Sequence, residues 1–168
     1  MRLLRYLYIL ALVVWLGGIV VAGAVVAPSI FGVLQEWNPV DGRVIAGRVF
    51  GEVLRRLHWL AYAMGSVMFV TLTLHRLLGA RPEKYGIRAT ILVLMLLVTA
   101  YSGFIVTPQI GALQGAVNGP IAALVDGDAR KVEFDRLHSL ANILLAASVV
   151  GGFEIGRASC RERVSYSV

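Results

Sequence analysis

One six-residue stretch occurs twice. Arg56-Leu57-His58-Trp59-Leu60-Ala61 returns 80 residues later as Arg136-Leu137-His138-Ser139-Leu140-Ala141. The same offset carries Gly23, Val26, Pro28 and Ile30 onto Gly103, Val106, Pro108 and Ile110. From Leu12 to Val70 the ungapped comparison holds 15 identities in 59 positions, well above what a restricted apolar alphabet gives by accident. We read a tandem duplication. This constrains the fold more than any other feature, because whatever one half becomes, the other must become as well.

Composition says what medium the halves live in. The chain is 58 % hydrophobic and only 15 % charged, with a mean hydropathy of +0.75. Soluble domains carry about 25 % charged residues, so a bilayer is the expected solvent. The formal net charge of +6 suits an anionic membrane surface, and so apolar a chain argues against a nucleic-acid partner. The single cysteine, Cys160, excludes a disulfide framework and a Cys-based metal site.

Four apolar runs follow one another. The first, Leu7 to Val26, has the shape of a signal peptide behind Arg2 and Arg5. It is long enough to span, however, and its echo from Leu92 to Val106 lies mid-chain, so it reads as an uncleaved helix. Pro28 is expected to end or kink it, because proline lacks the N–H and clashes one turn back. Phe31 to Asn38 then reads as a connector carrying Trp37. Asp41 to Leu57 reads as an amphipathic helix, with Val44, Ile45, Val49, Val53 and Leu57 at helical spacing and arginines between them. It either lies on the membrane surface or extends the second span. That span runs from Leu57 to Leu78, where Ser66, Thr71 and Thr73 can bond back to their own helix. After a turn, Gly79 to Arg88, comes the third span, Ile87 to Val106. Thr107 to Arg136 reads as a long acidic connector, whose patch Ile121 to Val125 is too short to cross. The fourth span begins near Leu137.

The expected fold class is all-α: an integral membrane four-helix bundle built from two parallel-repeat helical hairpins, residues 7–78 and 87–153. Each hairpin returns the chain to its starting side, so the pseudo-two-fold axis lies along the membrane normal. Positive residues give a weak orientation signal, six on the N-terminal side against seven on the other, but the six crowd into much shorter segments. We therefore expect both termini in the cytoplasm, in a bacterial inner membrane.

The tail from Glu154 stands apart. Residues 154 to 164 resemble the conceptual translation of a sequencing adapter, and the apolar run Ser139–Phe153 is 15 residues, about 22 Å against a hydrocarbon thickness of about 30 Å. The expectation is a single membrane domain over 1–153, a fourth helix cut short and an artefactual tail from 154 to 168. The alternative is a basic cytoplasmic tail.

His58 and His138 are the sharpest candidates for chemistry. Equivalent positions put them at one depth, and facing imidazoles on a bundle can hold haem, copper or zinc. The plainer reading is an interfacial histidine bonded to a carbonyl. Asn142 lies one turn beyond His138 and its counterpart is Tyr62, so each half sets a hydrogen-bonding group below its histidine, for interhelical bonds or a polar pathway. No run before the tail holds a fully embedded charge, which argues against an ion pump. Gly17, Gly18, Gly23 and Gly103 suit close helix approach. No P-loop, nucleophile elbow or HExxH is present.

Trp15-Leu16-Gly17-Gly18, Ala27-Pro28-x-Ile30-Phe31, Phe134-x-Arg136-Leu137-His138 and Asn142 together resemble the transmembrane protein 205-like family, in bacteria the domain of unknown function 4149. Trp15, Gly17, Gly18, Pro28, Pro108 and Arg136 carry its motifs here. The resemblance implies a four-helix membrane protein and no established activity. The sequence therefore leads to a small, non-enzymatic membrane protein without a cofactor, a structural or accessory subunit whose partners are the bilayer and a second copy or another membrane protein. The competing reading is a haem- or copper-handling protein using His58 and His138.

Overall fold

The computed structural model describes residues 2–78, 85–117 and 119–165, with side chains for 3–78, 85–117 and 119–157. Every long element is a helix, and among the described residues there is no strand. The order is α1 (Arg2–Val21), a π turn (Ala22–Val26), α2 (Ala27–Trp37), α3 (Gly42–Leu78), α4 (Tyr85–Tyr101), a second π turn (Ser102–Val106), α5 (Thr107–Gly115), a 3-10 turn (Ile121–Ala123) and α6 (Ala129–Ser165). Four of the resulting rods are long and apolar enough to cross a membrane.

Neither proline ends its helix. The ring of Pro28 would press on the carbonyl one turn back, and it offers no N–H. The backbone answers by widening a single turn, so that the Ala27 N–H donates to the Ala22 carbonyl five residues back. The rod then continues as α2. Pro108 meets the same problem and solution, with the Thr107 N–H donating to the Ser102 carbonyl. The expected connector Phe31–Asn38 is thus helix as far as Trp37. Much of the expected connector Thr107–Arg136 is helix too: it holds α5 and the first turns of α6, with the 3-10 turn Ile121–Ala123 between them. The sequence reading failed because proline is a helix breaker only where the ladder cannot widen.

The real turn between α2 and α3 is short. The Asn38 side-chain oxygen accepts from the N–H groups of Val40 and Asp41 at 3.2 and 3.0 Å. Gly42 opens α3 against the Leu34 carbonyl, too close for any β-carbon. From there α3 runs 37 residues without interruption, about 55 Å, against a hydrocarbon thickness of about 30 Å. Its first third carries Arg43, Arg48, Glu52, Arg55 and Arg56 and so extends the second span beyond the apolar region. Glu52 joins Arg55 and Arg56 there at 2.7 and 2.8 Å. Thr71 and Thr73 return their hydroxyls to carbonyls of their own helix, as expected. Most of the turn predicted at Gly79–Arg88 lies outside the described residues, though its last part belongs to α4.

In cross-section α1 packs on α3, α3 on α4, α4 on α6 and α6 on α1, leaving α1 opposite α4 and α3 opposite α6. The solid core fills the half nearer the N-terminus. Trp15, Met68, Leu92 and Ile155 are fully buried there, with Tyr8, Leu12, Leu72 and Met95 around them. Gly65 brings α3 against Leu96 and Trp15, and Gly152 brings α6 against Leu16. The fourth helix does not stop at Phe153: α6 continues to Ser165, and Ile155 belongs to the core. One charge is buried after all. Arg88, assigned to a turn by the sequence, lies in the opening turn of α4 at 5 % exposure.

Candidate functional site

Above the core, away from the N-terminus, the helices stand apart around a cavity of about 590 Å³. All four rods contribute, and the 119–122 segment covers one side. The lining of α1 and α2 descends from Phe31 to Trp15, and that of α6 from Lys131 to Ser148. The cavity thus begins inside the apolar zone and reaches beyond it. His58, His138 and Asn142 all line it, from the diagonal helices α3 and α6. Arg136 and Tyr62 do not.

The two histidines share the cavity but not a setting. The Nδ1 of His58 lies 2.7 Å from the Leu54 carbonyl, which can only accept, so Nδ1 carries a proton. In the neutral ring Nε2 then accepts from the Ser102 hydroxyl at 3.3 Å. Both nitrogens are engaged, and the second bond ties α3 to the π turn above α4. His138 makes no such bond among the described residues. It is exposed and stacks on Phe134, with centroids 5.9 Å apart and planes 10° from parallel. Metal ligation by His58 through Nε2 would have to displace the Ser102 hydroxyl, while the Nδ1–H bond to the Leu54 carbonyl could stay. Among the described residues no group of three or more His, Cys, Asp or Glu is placed to hold a metal ion.

Their neighbours differ in the same way. The Tyr62 hydroxyl donates to the Thr99 carbonyl at 3.3 Å, and its ring stacks on Phe104 with centroids 5.5 Å apart. Trp59 meets it edge-on at 5.8 Å. Gly103 sits against this cluster, where a β-carbon would run into the Tyr62 hydroxyl and the His58 ring. Asn142, by contrast, is exposed and makes no hydrogen bond among the described residues. A sequence-derived equivalence of Tyr62 and Asn142 therefore corresponds to two different situations.

The remaining motif residues are mostly structural. Trp15 is fully buried at the deep end of the cavity, and its indole N–H has no partner among the described residues. Gly18 approaches Leu57, whereas Gly17 faces open space, so only one of the pair serves close packing. Gly23 is likewise open. Pro28 and Pro108 follow the two π turns. Arg136 is exposed and pairs with Glu133 at 2.8 Å along its own helix. Sequence reasoning missed Ser102 and Gln114, both on the cavity; Ser102 adjoins the repeated Gly103, which was the available signal.

At the mouth the connector is fastened to the start of α6. Asp128 accepts from the Arg130 guanidinium at 2.8 and 3.1 Å and from the Arg130 backbone N–H at 2.8 Å. The side-chain bonds of Arg130, then its backbone bond, hold the Asp128 carboxyl down at about 2. Lys131 reaches the Asp126 carboxylate at 2.6 Å and the Leu124 carbonyl at 3.3 Å, and it lowers the Asp126 pKa.

A family model described as "Domain of unknown function (DUF4149)" matches residues 10–118. The chain belongs to that family. The match takes in the Trp15 motif, both π turns and His58, and it stops before α6. No curated protein and no solved structure matches the chain. The membrane-spanning character of this DUF4149 member therefore rests on its own four apolar helices.

Proposed function

We propose that this DUF4149 protein is a small, non-enzymatic, multi-pass protein of the bacterial inner membrane, acting as a structural or accessory subunit. The observation that supports this reading is where its apolar side chains go. Val13, Leu97, Ile143 and Phe153 all point outward at about 60 % exposure or more. Such a surface suits lipid, a second copy or a partner helix. The reading includes a tandem origin: two hairpins related by an axis along the bundle, each with a π turn ahead of its proline. It also includes the resemblance to the transmembrane protein 205-like family and termini on the cytoplasmic side, where Arg2 and Arg5 lie.

Cross-linking in native membranes, followed by sizing in lipid nanodiscs, tests the subunit role. A discrete homo-oligomer or a stoichiometric partner is expected, and a bare monomer in both would overturn it. A C-terminal reporter active only in the periplasm would reverse the orientation. The competing reading, a haem- or copper-handling protein, draws on one observation: His58 and His138 line the same cavity. It requires a Soret band or stoichiometric copper in purified protein, lost in both His58→Ala and His138→Ala. Neither signal after metal-replete expression would end it.

A further inference from the structure

We propose that the cavity between the helices binds an anionic single-chain amphiphile, with its hydrocarbon tail toward Trp15 and its head at the Arg43 end. This goes beyond the subunit reading and does not depend on it.

Shape comes first. From Trp15 to Phe31 the lining of the first rod spans 17 residues, about 24 Å of helix from end to end. A cavity of 590 Å³ drawn out over that length is elongated, as an extended hydrocarbon chain is. The volume itself lies in the range of ligand pockets, about 300–1,000 Å³.

Polarity then divides the cavity along its length. The deep half is lined by Trp15, Ile19, Ala61, Val98 and Leu145. Its two hydroxyls are already committed: Thr99 donates to the Met95 carbonyl at 2.8 Å and Ser148 to the Leu144 carbonyl at 3.0 Å. Apart from the indole N–H of Trp15 and the lone pairs of those two hydroxyls, that half offers water no partner, and its mainly apolar wall suits hydrocarbon. The outer half presents Arg43, Gln114, Lys131 and Asp135. Lys131 is paired with Asp126, while Arg43 makes no ion pair among the described residues, so one cationic donor, Arg43, is available at this end, with the Asp135 carboxylate also in the lining. Asn142, between the halves and without a hydrogen bond, adds an amide that a head group or its first polar linkage can satisfy.

The third observation is how the space arises. Gly23, Gly51 and Gly111 line the cavity, yet a β-carbon on any of them would meet nothing within 4 Å. Glycine inside a helix costs about 1 kcal/mol relative to alanine. At Gly18 and Gly103 close neighbours explain that cost, and at these three no protein atom does. Gly17, Gly32, Gly86 and Gly115 are also open, but they lie off the cavity. The three cavity glycines keep a channel clear that side chains would fill.

Trp15 reports directly on occupancy, because it is fully buried from surrounding lipid and the chain has only 3 tryptophans. The test uses the full chain carrying Trp37→Phe and Trp59→Phe, in phosphatidylcholine nanodiscs, titrated with palmitate brominated at the chain end. A parallel arm uses lysophosphatidylglycerol with the same brominated tail. Saturable quenching of Trp15 at near-stoichiometric amphiphile is expected in at least one arm, and the arm that saturates names the source. Bromine placed beside the head group should quench several-fold less. Gly23→Leu with Gly51→Leu should weaken binding at least tenfold while circular dichroism keeps its helical signal, and Arg43→Gln should weaken it about three- to tenfold. Quenching that rises linearly without saturation in both arms, or that persists unchanged in the glycine-filled variant, overturns the proposal. So does equal quenching from both bromine positions.

Discussion

Two six-residue stretches that differ only at Trp59 and Ser139 do different work at their two positions. In the first, His58 is locked by Leu54 and Ser102 and Tyr62 is locked by Thr99, so the stretch welds α3 to the end of α4. In the second, His138 rests on Phe134, Asn142 faces the cavity, and neither is bonded across to a neighbouring helix among the described residues. Nearly equal sequence thus yields one fastened copy and one open copy. The difference comes from the neighbours: Ser102 and Gly103 present a hydroxyl and a clear backbone to His58, while their counterparts by sequence, Ala22 and Gly23, present nothing polar to α6. Once one copy supplies rigidity, the other is at liberty to meet a ligand.

The glycines give the largest contrast. Gly103→Ala places a methyl into the Tyr62 hydroxyl and the His58 ring, an overpacking that costs about 1–3 kcal/mol. Gly23→Ala, its counterpart, meets open space and should gain up to about 1 kcal/mol by restricting the unfolded chain. Thermal melts of the two variants in one detergent should therefore move in opposite directions. Shifts of the same sign and size would remove the distinction between the copies.

The histidines come next. His58→Ala deletes an interhelical bond and leaves the Ser102 hydroxyl without its partner, at a cost of about 1–2 kcal/mol. His138→Ala should stay within about 0.5 kcal/mol, as an exposed substitution without bonded partners does. Tyr62→Phe and Asn142→Leu repeat the contrast one turn along. The first should lose roughly 0.5–1 kcal/mol, and the second should be neutral or stabilising because it removes a polar group that the protein leaves unsatisfied. A loss at Asn142 larger than at Tyr62 would mean that the open copy is the fastened one.

Much of this architecture was legible in the chain. Apolar runs located all four rods, three of them at spanning length and the fourth short of it, and the echo of the histidine stretch lies on two helices that border the cavity. What escaped was set by contacts rather than by composition. Pro28 and Pro108 looked like breaks because no one-dimensional pattern shows that a turn can widen ahead of a proline. Arg88 looked like a turn residue because its burial depends on how the helices pack, which the local sequence does not show. His58 and His138 looked alike because identical letters carry no information about Ser102. The cavity itself could not be read, since Gly23, Gly51 and Gly111 spell the same in a close contact and in a void.

The smallest effect separates the two turns outside the apolar zone. The first is capped by the neutral amide of Asn38, the second by the carboxylate of Asp128 with Asp126 beside it. An unfolded aspartate titrates near 3.9, whereas Asp128 in the fold is held at about 2. A depressed folded value means that the contribution is complete above the unfolded pKa and fades as pH falls from about 4 to about 2. Asp126 shifts in the same direction and adds to the same window. Asp126 is fully exposed and Asp128 partly so, so the effect is local and screened by salt. Amide exchange, corrected for the intrinsic pH dependence, should show residues 119–131 loosening between pH 4 and pH 2 while residues 38–42 keep their protection. Asp128→Asn should flatten that response without changing exchange at the first turn. If both turns loosen together in acid, the charge on Asp128 is not what fastens the segment over the cavity.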